Sequence, residues 1–68
     1  MQGEETPLER ARRHMDESEK RISNQQALVQ TMKAKGLDAN RALQLLEYFR
    51  RLHAIAHDYL VHEETRAT

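Results

Sequence analysis

The chain has 68 residues, enough for one small domain, and Ala, Glu, Lys, Leu and Arg fill 35 of those positions. That composition belongs to long amphipathic helices and excludes a mixed sheet protein. Eleven basic residues balance 11 acidic ones, which argues against both disorder and a one-sign field, and no cysteine is present for disulfides, thiolate metal centres or thiol catalysis.

No apolar run approaches the roughly 18 residues of a membrane span. The polar, acidic start Met-Gln-Gly-Glu-Glu is not the pattern of a secretory leader. The expectation is an all-α, cytoplasmic protein with no membrane association.

Residues 1–6 read as a flexible N-terminal segment, and a first helix is predicted over 7–35. Thr6 suits the cap position, Pro7 the first helical position, and Glu9 completes a Thr-x-x-Glu capping box. Steps of three and four along this helix select Leu8, Ala11, Met15, Ser18, Ile22, Gln25, Val29 and Met32, a narrow seam with two polar members. The acid-before-base spacings Asp16–Lys20 and Glu17–Arg21 support its solvated face.

A turn is predicted over 36–38. Gly36 is the natural left-handed terminator, with Leu37 placed to fold back in a Schellman turn, and Asp38 caps the helix that follows. The second helix is predicted over 39–64, leaving 65–68 as a flexible C-terminus. So short a connection returns the second helix antiparallel to the first, making a helical hairpin.

The second helix carries a wider apolar stripe than the first. Its predicted seam is Ala42, Leu45, Phe49, Leu52, Ala56 and Tyr59, flanked by Leu46 and Leu60 on one side and by Tyr48 and Ile55 on the other. One narrow, polar-spotted partner helix cannot cover it. The predicted solution is a homodimer, two hairpins forming a four-helix bundle with the second helices at its centre. The interface residues expected are Leu45, Leu46, Phe49, Leu52, Ile55, Ala56 and Tyr59.

The run Arg21-Ile22-x-x-Gln25-x-x-Leu28-Val29-x-x-Met32-x-x-x-Gly36-x-Asp38, continued by Ala42-x-x-Leu45-Leu46-x-x-Phe49, resembles a group of short bacterial proteins and protein tails. These are built as a helix, a Gly-Asp turn and a second helix. The resemblance spans roughly residues 9–60 and implies the hairpin fold. No activity is established for that group, so it implies no site residue.

Chemistry is sparse. His53 and His57 lie four residues apart on one helical face, yet zinc wants three or four converging ligands, so no metal and no cofactor is expected. His62-Glu63 resembles the His-Glu pair of phosphoaccepting helical hairpins, but Thr65 is not followed by proline, no ATP-binding part is present, and His62 lies close to the chain end. Arg10, Arg12, Arg13, Arg50 and Arg51 are candidates for phosphate contacts. Residues 1–36, however, carry seven basic and six acidic side chains, and the remainder four and five, which argues against nucleic acid.

With no phosphate loop and no nucleophile beside a base, an enzyme is not expected. The expected function is a homodimeric protein–protein interaction module, regulatory roles included. The alternative is a small nucleic-acid-associated or signalling accessory protein using the arginine clusters.

Overall fold

A computed structural model describes residues 3–67 of the chain. Two α-helices, α1 (Pro7–Ala34) and α2 (Asn40–Ala67), pack antiparallel as a hairpin, with no strand among the described residues. The molecule is a flat rod of 49 × 26 × 13 Å. No membrane-crossing helix occurs among the described residues, since none is long and apolar enough.

The start of α1 is built from its own local sequence. The Thr6 hydroxyl accepts from the Glu9 amide at 3.0 Å, and the Glu9 carboxylate accepts from the Thr6 amide at 2.9 Å. Two of the helix's orphan donors are thereby satisfied, and Pro7 contributes none. Ahead of the cap, Glu5 is clasped by Arg13, whose Nε and Nη2 donate to the two carboxylate oxygens at 2.8 and 3.1 Å. These hydrogen bonds hold the Glu5 carboxyl below the usual glutamate value and strengthen the hold of Arg13 on its proton. Of the ends expected to be flexible, residues 1, 2 and 68 lie outside the described residues.

The turn makes both hydrogen bonds of a Schellman motif. Gly36 adopts φ +72°, a left-handed conformation that favours glycine. The Leu37 amide donates to the Met32 carbonyl at 2.9 Å, and the Gly36 amide to the Lys33 carbonyl at 3.0 Å. The apolar half of the motif is not made, because Leu37 remains exposed. Asp38 stands one residue outside the cap position and accepts from the Asn40 amide at 2.9 Å, while the Ala39 carbonyl takes the first α2 bond, from Leu43.

The seam of α1 is the one its periodicity selects. Ala11, Met15, Ser18, Gln25 and Val29 are buried, and Leu8, Ile22 and Met32 half-buried. Its polar members are satisfied: Ser18 Oγ donates to its own helix at Met15 O, and Gln25 Nε2 crosses to α2 and donates to Ala42 O, both at 2.9 Å. The acid of the expected Glu17–Arg21 pair instead meets Arg13, at 3.3 Å, the same guanidinium that clasps Glu5.

α2 is rotated relative to the predicted seam. Ala42, Leu46 and Glu63 are buried, as is Ala39 just ahead of the helix, and Phe49, Leu52, His53, Ala56 and Leu60 are half-buried. Leu46, not Leu45, therefore points at α1. Near the turn the small Ala39 and Ala42 pack on Val29, with Met32 alongside. At the far end Glu63, only 6% exposed, lies beside the start of α1 in a cleft with Thr6, Pro7 and Leu8. The positive end of the α1 dipole and Arg66, 3.4 Å away, compensate its charge. α2 runs on to Ala67, beyond the predicted end at 64. Nothing after Glu64 breaks a helix, and Thr65 Oγ1 bonds back to Val61 O.

Candidate interaction surface

The rotation of α2 divides its apolar residues into two stripes. One, through Leu46, Phe49, Ala56 and Leu60, packs on α1. The other runs Leu45, Tyr48, Leu52, Ile55 and Tyr59, in unbroken steps of three and four, about a quarter-turn around the helix from the first. Four of its members are open to solvent, Leu45 at 43%, Tyr48 at 53%, Ile55 at 65% and Tyr59 at 41%, with Leu52 half-buried between them. Five large apolar side chains aligned over two heptads form the pattern of a coiled-coil seam. Leu43 and Val61, also exposed, fall elsewhere on α2 and are the isolated apolar residues that any surface carries.

The seven residues expected at the interface are thus split. Leu46 is spent inside the hairpin; Phe49 and Ala56 lie on the boundary between the stripes; Leu45, Leu52, Ile55 and Tyr59 belong to the open one, Leu52 half-buried within it. Tyr48 joins them, its ring 6.3 Å from that of Phe49 and tilted by 44°. Beside the open stripe, a shallow groove is bordered on the α1 side by His14, Glu17, Ser18 and Arg21, facing Leu52, Ile55 and Tyr59. One heptad beyond Arg21, Leu28 adds a single exposed apolar residue to that side of α1.

Other candidate groups do not converge. His53 Nε2 lies 3.6 Å from Glu19 Oε2 across the hairpin, whereas the more exposed His57 has its Nδ1 3.9 Å from Asp58 Oδ1 of its own helix. No cluster of three potential metal ligands occurs among the described residues. Arg10 and Arg13 are engaged by Glu5, Arg51 by Glu47 and Arg66 by Glu63. Among the described residues every buried polar side-chain atom has a partner, so no orphaned group is aimed into a pocket.

Periodicity missed one inward residue, Glu63, which continues the Leu46, Phe49, Ala56, Leu60 stripe at helical spacing but whose polarity counted against it. Half-buried His53 continues the same stripe at the edge of the core. The chain matches no protein-family model, no curated protein and no solved structure.

Proposed function

We propose that this chain is a non-enzymatic protein–protein interaction module that works as a homodimer, two hairpins forming a four-helix bundle with the α2 helices at its centre. The observation that carries this reading is the open heptad stripe Leu45, Tyr48, Leu52, Ile55 and Tyr59.

Surface area supports it. A compact monomer of 8.0 kDa exposes about 4,450 Å², whereas this hairpin exposes 5,495 Å². The excess, about 1,000 Å², is close to the ~800 Å² per partner of a standard specific interface. Among the described residues no large side chain is fully buried, so the apolar core of a lone hairpin is thin. The radius of gyration, 15.7 Å, likewise exceeds the ~11 Å of a compact 68-residue domain.

The second copy meets this stripe with its own α2. The neighbouring face of α1 carries His14, Glu17 and Arg21 and offers Leu28 alone. Among the described residues of this chain, only another α2 stripe supplies a matching row of large apolar residues.

Light-scattering mass at micromolar concentration tests the reading, on the natural chain and on Ile55→Glu. Ile55 is 65% exposed, so in a lone hairpin the change costs within about 0.5 kcal/mol. In the dimer it drives a charge into the seam and dissociates it. The expected result is twice the 8.0 kDa chain mass for the natural chain and a monomer for the variant. A natural chain that is monomeric and fully helical refutes the proposal.

A further inference from the structure

We infer that the two α2 helices cross the dimer antiparallel, about a two-fold axis between Leu52 and Ile55, with Arg51 of each chain beside the partner's Asp58. This rests on the homodimer proposed above and assigns its helix order and register.

In an antiparallel pair each seam residue from one heptad position meets the other seam position of its partner. Centring the stripe on itself stacks Leu52 on the partner's Ile55 and Tyr48 on the partner's Tyr59, and closes each end with Leu45 on the partner's His62. All five stripe residues are then covered.

The flanks decide the register. On the side of α2 away from α1, the residues bordering the seam are Gln44, Arg51 and Asp58. Arg51 and Asp58 are 76% and 89% exposed in their side chains, reaching into solvent. In the centred register Arg51 stands within about two residues' rise, roughly 3 Å along the axis, of the partner's Asp58. The two-fold makes that contact twice. On the opposite flank, half-buried Phe49 falls against the partner's half-buried Ala56, a large residue beside a small one.

Sliding by one heptad in one direction brings Arg51 against the partner's Arg51. Sliding the other way brings Asp58 against the partner's Asp58. Both neighbouring registers thus put like charges next to the axis, a penalty that the centred register avoids. A parallel pair fares no better: Arg51 then borders the partner's Ala56, and Asp58 borders the partner's Glu63. Of these arrangements, only the centred antiparallel one makes opposite-charge contacts on this flank. The loose Glu47–Arg51 pair, 3.7 Å and exposed, does not compete strongly with them.

Charge exchange across the interface tests this. Three samples are compared by sedimentation equilibrium at low salt: Arg51→Asp alone, Asp58→Arg alone, and an equimolar mixture of the two chains. Each single variant puts like charges at both contacts and raises the dimer dissociation constant roughly tenfold or more. The mixture pairs opposite charges at both contacts and recovers the natural mass. A control mixture of Arg50→Asp with Glu64→Arg, the same charge changes on the face of α2 opposite the stripe, is expected to keep the natural mass in each chain alone and when mixed. A natural dimer whose single variants are unimpaired, or whose mixture dissociates as its components do, overturns the antiparallel register and leaves the homodimer standing. A natural chain that sediments as a monomer overturns the homodimer itself.

Discussion

Replacing Gly36 by alanine isolates the conformational demand of the turn. Gly36 holds φ +72°, and an added Cβ meets no atom within 4 Å, so the substitution introduces no clash. What remains is the cost of holding an L-residue in the left-handed region, about 1–2 kcal/mol. Alanine also restricts the unfolded chain, which returns about 0.4–1 kcal/mol. The net expectation is a loss of about 1 kcal/mol with the two Schellman hydrogen bonds kept. In a domain of this size that lowers the melting temperature by about 4–8 °C. The assay is thermal circular dichroism at matched chain concentration, because the melting of a dimer depends on concentration. The sign is the informative part. Inside a continuous helix the same change stabilises by about 0.5–1 kcal/mol. A rise in melting temperature would therefore mean that residues 7–67 form one long rod, and the hairpin would be refuted.

Gln25→Ala removes the hydrogen bond that ties α1 to the Ala42 carbonyl and is expected to cost about 1–2 kcal/mol in urea denaturation; an unchanged midpoint would show that the bond does not fix the helix pairing. The Glu5 carboxyl, held below its ordinary value by Arg13, contributes stability that is present above the unfolded-chain glutamate pKa and lost as pH falls through the lowered folded value. Carboxyl NMR titration should show Glu5 titrating below the ordinary glutamate value, with Arg13→Ala moving it back up. Zinc in millimolar excess is expected to leave the melting temperature within about 2 °C, since His53 and His57 have separate partners, Glu19 and Asp58, and no third ligand joins them among the described residues; a large rise abolished by His57→Ala would contradict this.

The parts of this fold legible in the sequence are those governed by neighbouring residues. Thr6, Pro7 and Glu9 specify the start of α1, and Gly36 its end, through bonds spanning three to five residues. The α1 seam was legible too, because only one face of that helix is apolar. The rotation of α2 was not. Its two stripes share Phe49 and Ala56 at their boundary, and hydropathy alone favours turning Leu45, Leu52 and Tyr59 toward α1. The choice is made by contacts distant in sequence: Gln25 on Ala42, Val29 against Ala39, and Glu63 beside the start of α1. These turn Leu46 inward and carry His53 and Glu63 with it, a polar cost that hydropathy does not anticipate. The open stripe left behind is the more apolar of the two, and on this account it is kept for the second copy.

The central claim is that a second α2 covers that stripe, and intermolecular NMR contacts test it most directly. In a sample mixing carbon-13-labelled with unlabelled chains, an isotope-filtered experiment reports only contacts between molecules. The account predicts such contacts from the Ile55 methyl groups to the partner's Leu52, and from the Tyr48 ring to the partner's Tyr59. A spectrum with no intermolecular contacts at millimolar concentration, or with contacts confined to α1, contradicts it.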